Sequence, residues 1–97
     1  LQEAALIWPY EIALHQDLAD RLRDLGDHAA EVLERRAVIA LEPTDQAEAY
    51  YLLARAEHDA GDDDAARRSV LRALSVAPNY GEALELLLEI RGTGGRR

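Results

Sequence analysis

The sequence contains no cysteine and no stretch of apolar residues long enough to cross a membrane. The absence of Cys excludes a disulfide framework, a thiolate zinc site and a cysteine nucleophile. A membrane-spanning helix needs about 18 or more consecutive, mainly apolar residues, and no run in this chain approaches that length. We therefore expect a soluble chain with no membrane partner. No signal-peptide pattern is visible, so the compartment stays open.

Lysine and methionine are also absent. All 11 basic residues are arginine, and the 19 acidic residues bring the formal net charge to -8. This balance argues against nucleic acid as a partner, because neutralising phosphates requires a basic face. The missing methionine, including at position 1, favours a fragment or a processed piece of a longer protein.

The chain instead contains a pattern that repeats along its length. Pro9 and Pro43 are 34 residues apart, and Pro78 follows 35 residues later. Two further pairs keep a step of 35, namely Gly26-Asp27 with Gly61-Asp62 and Leu18-Ala19 with Leu53-Ala54. A period of about 20 to 50 residues is typical of solenoids, in which each unit stacks on its neighbours.

Within each cycle the apolar residues recur at helical spacing. The first cycle has Leu14, Leu18, Leu22 and Leu25, and then Ala30, Leu33, Ala37 and Leu41 after the glycine. The pattern predicts helices over residues 10–25, 28–41, 46–60, 63–76 and 80–91, with residues 1–8 as the end of an earlier helix. Because each Gly-Asp pair ends one helix and begins the next, the predicted unit is a helical hairpin.

Two acidic segments that follow prolines have the spacing of a capping box. Asp45 precedes Glu48 by three residues after Pro43, and Asn79 precedes Glu82 by three residues after Pro78. We therefore expect Asp45 and Asn79 to begin the helices that follow them.

The second cycle resembles the tetratricopeptide repeat, whose pattern is W-x2-L-G-x2-Y, then A-x3-F, then A and P over about 34 residues. The residues that carry the resemblance are Tyr50, Leu53, Ala54, Ala66, Val70, Ala73 and Pro78. The first cycle matches less closely, through His15, Leu18, Ala19, Leu22, Ala30, Ala37 and Pro43. The resemblance implies an all-α fold of antiparallel helical hairpins stacked as a right-handed superhelix, an α-solenoid.

The resemblance also implies how the chain is divided. Residues 1–91 form a single domain, in which 1–9 end a preceding repeat, 10–43 and 44–78 are repeats and 79–91 are a capping helix. Residues 92–97 form a Gly-rich, flexible tail. Glu34 and Glu57 replace large apolar residues of the family pattern, and we expect both to be partly exposed.

In this family the concave groove along the first helix of each hairpin binds a peptide or a partner segment, so the resemblance implies a scaffold or protein-protein interaction module. Carried over by position, the groove residues are Ala13, Gln16, Asp20, Arg23, Asp24, Glu48, Tyr51, Arg55, His58, Asp59, Glu82, Glu85 and Glu89. Seven acids against two arginines predict a basic or mixed-charge ligand, with Tyr51 as its anchor. The alternative is that Tyr51 is merely half-buried and the carboxylates form a solvated face.

No motif indicates catalysis, so we expect no enzyme activity, no cofactor and no metal. His15, His28 and His58 have no paired His at a metal-ligand spacing. The run Asp62-Asp63-Asp64 lacks the alternating ligands and the distal Glu of a calcium loop. Without Lys, and with a single Asn in a turn, the chain also lacks the Lys-Asn-Arg clamp by which some family members hold chaperone C-termini.

Two other functions stay open. The chain could be an accessory domain of a larger, possibly enzymatic, protein. It could also self-associate, because Leu86 and Ile90 lie on the side of the last helix where another helix would pack. On that hypothesis both side chains are exposed and join two chains into a homodimer through the terminal helices.

Overall fold

The computed structural model describes residues 2–94 and the side chains of residues 10–92. This part of the chain contains five α-helices and no strand, which confirms the all-α prediction. The helices are α1 (Gln2–Leu25), α2 (His28–Ala40), α3 (Gln46–Asp59), α4 (Asp63–Val76) and α5 (Gly81–Gly94). Among them, no helix combines the length and the apolar composition that a membrane span needs.

The two Gly-Asp turns have the same construction, as the repeat predicts. Gly26 and Gly61 adopt positive φ angles of 81° and 90°, a backbone conformation that side chains with a Cβ disfavour. The following aspartates, Asp27 and Asp62, each accept a hydrogen bond from the backbone N–H three residues later. Each turn therefore ends one helix and caps the next, which forms the hairpins α1–α2 and α3–α4.

The connections that contain proline differ from each other. Asp45 caps α3 as expected, because its carboxylate accepts a 3.0 Å hydrogen bond from the Glu48 N–H. Asn79 does not have the corresponding role. α5 begins at Gly81, and the carbonyl of Tyr80 accepts the hydrogen bond from the Leu84 N–H, so Tyr80 occupies the position before the helix.

Each helix packs against the next helix along the chain, and α3 also contacts α5. The main core cluster joins α3, α4 and α5 and consists of Ala54, Ala66, Val70, Ala73, Ala83, Leu86 and Ile90. Four of these seven residues are alanines, whose small side chains let the helix backbones approach closely. A second cluster of Val32, Leu53 and Ala56 joins α2 to α3. The molecule is elongated, with extents of 51 × 31 × 17 Å.

The helix ends differ from the prediction at both ends of the chain. α1 is continuous from Gln2 to Leu25 and passes through Pro9, where the sequence pattern predicts a break. Proline has a φ angle that suits a helix and removes one hydrogen-bond donor, so it weakens a helix without having to end it. The predicted tail begins later than expected, because Gly92 and Gly94 belong to α5. Leu1 and residues 95–97 lie outside the described residues.

Two predictions about exposure are wrong. Leu86 and Ile90 are only 6% and 1% exposed, because α5 uses them to pack on the α3–α4 hairpin. Glu57 is buried rather than partly exposed, since Ser69 donates a hydrogen bond to its carboxylate. Leu33, which the helical spacing includes, is exposed, and the residues that α2 buries are Glu31, Val32, Arg35 and Val38. Glu34 is partly exposed as expected, with 27% of its side chain accessible.

Candidate functional site

Several of the predicted groove residues meet on one surface formed by α1, α3 and α5. Nη1 of Arg23 in α1 donates a 2.8 Å hydrogen bond to Oδ2 of Asp59 in α3. Nε2 of His58 in α3 lies 3.1 Å from Oε2 of Glu89 in α5. These two contacts join the three helices side by side. We call this surface the inner face and define it by Arg23, Tyr51, His58, Asp59 and Glu89.

His58 connects three helices through its two ring nitrogens. Its Nδ1 atom lies 2.7 Å from Oδ1 of Asp63 in α4, and its Nε2 atom faces Glu89. Only the doubly protonated imidazolium can donate to both carboxylates. Burial lowers the pKa of His58, but hydrogen bonding and charge attraction by Asp63 and Glu89 outweigh this effect, so the pKa is raised above 6.5. The charged form therefore holds α5 to the α3–α4 hairpin.

A second polar network connects the inner face to the interior of the α1–α2 hairpin. Nε of Arg35 donates a 3.1 Å hydrogen bond to Glu31, and its Nη2 atom donates to Asp20 at 2.9 Å. Arg23 reaches the same Glu31 carboxylate at 3.5 Å while it binds Asp59. Arg23, Asp20 and Asp59 are thus engaged by other residues of the chain, so their first role is to hold helices together.

The aromatic part of the inner face is a pair of tyrosines. The ring centroids of Tyr51 and Tyr80 are 5.4 Å apart with a tilt of 46°. The guanidinium of Arg55 lies 5.8 Å from the centroid of the Tyr51 ring, a cation-π distance. Its buried Nε atom has no hydrogen-bond partner among the described residues.

Tyr80 was not among the predicted site residues. Its only signal in the sequence is its place in the turn after Pro78, which the fold brings against Tyr51. Burial raises the pKa of the Tyr80 hydroxyl, and so do the negative charges of Glu82, Glu48 and Asp45. The tyrosine pair therefore has several negatively charged carboxylates around it.

The acidic groove residues fall into two groups. Asp20, Asp59 and Glu89 contact a cationic or titratable side chain of the chain itself. Four others have no ion pair among the described residues and are exposed, namely Asp24, Glu48, Glu82 and Glu85. Gln16 is half-buried, and Ala13 is exposed on α1. The acids without ion pairs include Glu48 and Glu82, whose charges act on Tyr80, so this end of the inner face carries uncompensated negative charge.

The remaining histidines and the acidic run have roles in the fold. Nδ1 of His15 lies 2.6 Å from Glu34, and Nδ1 of His28 lies 3.5 Å from Glu31. In the acidic run, Asp62 caps α4 and Asp63 contacts His58. Within the part of the chain that the structure describes, no group of three or more His, Cys, Asp or Glu side chains is arranged to hold a metal ion.

No protein-family model matches the chain, and no curated protein matches it significantly.

Proposed function

We propose that this chain is a protein-protein interaction module of the tetratricopeptide type, with its helical hairpins stacked as a right-handed superhelix and without catalytic activity. It binds a basic or mixed-charge segment of a partner protein on the inner face. The observation that carries this proposal is the tyrosine pair, Tyr51 and Tyr80, beside Glu48 and Glu82. Aromatic side chains offer a large contact area at low entropic cost, and they are enriched among residues that dominate binding energy.

The charge of the inner face supports a basic ligand. A Lys or Arg side chain of a partner would meet two tyrosine rings and exposed carboxylates that have no ion pair in this chain. Cations are attracted to aromatic faces, and oppositely charged surfaces increase association rates. Arg55 already occupies one cation-π position over Tyr51, so acidic side chains of a mixed-charge ligand have a counter-charge as well.

The proposal is tested by fluorescence anisotropy with a fluorescein-labelled, lysine-rich peptide. Glu48→Gln/Glu82→Gln removes two exposed charges beside Tyr80 without breaking an ion pair. We expect the affinity for the peptide to fall by about tenfold, a loss typical of residues that contribute strongly to a binding interface. Asp59 is less suitable for this test, because its replacement would also break the contact with Arg23.

The matched control is Asp17→Asn/Glu42→Gln, which removes the same charge from exposed positions that have no ion pair among the described residues and are not part of the inner face. The affinity of this control for the peptide should stay within about twofold of the wild-type value, as expected for residues that contribute little to binding. An equal loss in both double variants would mean that the peptide follows net charge alone, and no binding to the wild-type chain would reject the proposal.

Self-association is a second candidate function. Because Leu86 and Ile90 are buried, other residues would have to form the contact between two chains. The exposed leucines of the terminal helices, among the described side chains, are Leu14, Leu18 and Leu25 on α1, and Leu84 and Leu88 on α5. A dimer through the terminal helices would cover these residues rather than Leu86 and Ile90. Sedimentation equilibrium should then show a dimer that Leu84→Gln/Leu88→Gln converts to a monomer. A wild-type monomer at high concentration would contradict it.

A further inference from the structure

A different face of α3 forms the floor of a cleft between α2 and α4. α3 packs against both helices, whereas α2 and α4 do not pack closely against each other. The cleft has a volume of about 220 Å³ and adjoins a second pocket of about 450 Å³, with which it shares Ile39 and Tyr50. We call the two together the outer cleft. Its floor on α3 follows Tyr50, Leu53 and Glu57, while the inner face follows Tyr51 and His58.

Arginines dominate the rim of the outer cleft. Arg36 comes from α2, and Arg68 and Arg72 come from α4. α2 and α4 both pack against α3. The fold therefore places arginines that are distant in the sequence around one pocket. Three arginines and one glutamate, Glu57, give the smaller pocket a net charge of +2, in a chain whose formal net charge is -8.

Glu57 is the carboxylate of the smaller pocket and is already engaged, whereas the larger pocket adds the exposed Glu42, so the residues lining the outer cleft carry a net charge of +1. Glu57 accepts a 2.7 Å hydrogen bond from Ser69 and lies 3.4 Å from Nη2 of Arg36. Arg68 is exposed and has no ion pair among the described residues, and Arg72 lies 6.0 Å from the centroid of the Tyr50 ring. Arg68 and Arg72 are four residues apart on one helix, where two like charges repel each other. A bound anion would relieve that repulsion.

The floor of the cleft is apolar, with Ile39 and Tyr50 half-buried and Leu53 buried. Ile39, Tyr50 and Leu53 line it, and its volume suits an aliphatic side chain. We propose that the outer cleft binds an acidic peptide segment that also carries an aliphatic residue. Arginine forms bidentate hydrogen bonds with carboxylates, and Arg and Tyr are enriched where proteins bind each other. A nucleic acid fits less well, because the rest of the chain is strongly acidic.

The test is fluorescence anisotropy with a fluorescein-labelled peptide of Glu and Leu residues at low salt. Arg68→Gln/Arg72→Gln removes two exposed charges from the rim, and we expect the affinity to fall by about tenfold or more. Arg67→Gln/Arg91→Gln removes the same charge from exposed positions outside the cleft and should change the affinity by less than about twofold. Circular dichroism verifies that both double variants stay helical.

Two further peptides define what the cleft recognises. Replacing each Glu of the probe with Gln should abolish binding, and replacing each Leu with Ser should weaken it by several-fold, because the apolar floor then has no partner. Equal losses in the two arginine double variants, or no binding by the wild-type chain, would overturn the proposal. Preferential binding of oligothymidylate over the peptide would replace the acidic peptide with a nucleic acid as the occupant.

Discussion

Glu31 and Arg35 place opposite charges inside the α1–α2 hairpin, with 0% and 3% of each residue exposed. Charges taken out of water are tolerated when they are paired and hydrogen-bonded, and removing one partner leaves the other uncompensated. We expect Glu31→Ala to lower the free energy of unfolding by about 3 kcal/mol, measured by urea denaturation. Arg35 would keep only Asp20, whose side chain is 67% exposed.

Two variants show whether the loss comes from the unpaired charge. Asp64→Ala removes an exposed carboxylate and should cost about 0.5 kcal/mol or less. Glu31→Leu/Arg35→Met replaces the pair with apolar groups of similar size and should recover most of the stability. A Glu31→Ala variant as stable as Asp64→Ala would contradict the role given to this ion pair.

His58 should make the stability of the chain depend on pH. Its pKa is raised in the folded state, so its contribution is fully present below the unfolded value of about 6.5 and is lost as the pH rises through the folded value. We expect the stability advantage of the wild-type chain over His58→Gln to be larger at about pH 5.5 than at about pH 8.5. Urea denaturation at both pH values measures it.

Two glutamate variants of α5 provide the control for this pH effect. Glu89→Gln weakens the contact with His58 and should reduce the pH dependence, whereas Glu85→Gln lies one turn earlier and should leave it unchanged. If His58→Gln and the wild-type chain differ equally at both pH values, the charged imidazolium does not hold α5.

At the scale of the helices, the turn glycines have a conformational role rather than a packing role. A Cβ atom added at Gly61 would meet no other atom within 4 Å, but the φ angle there is +90°. We expect Gly61→Ala to lower the free energy of unfolding by about 1 kcal/mol, the cost of left-handed backbone for a residue with a Cβ. Thermal or urea denaturation measures the difference.

Gly81 provides a matched comparison, because it begins α5 in equally open space without a positive φ angle. Gly81→Ala adds the same methyl group and should stabilise the chain by about 0.4 to 1 kcal/mol, through the reduced entropy of the unfolded state. Changes of the same sign in both variants would contradict the conformational explanation of the turn.

The sequence predicted the turns well because their signals are local. A glycine that needs a positive φ angle and an aspartate that caps the next helix act within a few residues, so Gly26-Asp27 and Gly61-Asp62 identify the hairpins. Pro9 was misleading for the same reason. Its local preference to interrupt a helix is weaker than the tendency of the flanking residues to continue α1.

The buried faces of the helices were harder to predict, because they depend on the neighbouring helix. Leu86 and Ile90 face the alanine-rich surface of α3 and α4, and that surface is assembled from residues that are distant in the sequence. In α2, the ion pair of Glu31 and Arg35 takes interior positions that a hydrophobic pattern assigns to apolar residues. A pattern of apolar residues cannot reveal this ion pair, because its burial depends on packing against α1, where Asp20 also binds Arg35.

For the whole molecule, the sequence specifies net charge but not where the charges lie. Sequence position gives the acidic residues of the proposed groove, which stays a prediction, but it gives neither Tyr80 nor the arginines of the outer cleft. Arg36 and Arg72 are 36 residues apart in the sequence. They line the same pocket because α2 and α4 flank the same helix. The inner face and the outer cleft use different residues of α3, so the two proposed ligands of opposite charge have separate surfaces.

The most direct test of the central claim is an NMR titration of the ¹⁵N-labelled chain with the lysine-rich peptide. If the inner face binds a basic segment, the backbone amides of Glu48, Tyr51 and Glu82 should show the largest chemical-shift changes, and those of Arg68 and Arg72 should stay in place. Shifts that concentrate at the outer cleft, or that spread evenly over all exposed acids, would contradict an inner-face site for basic segments.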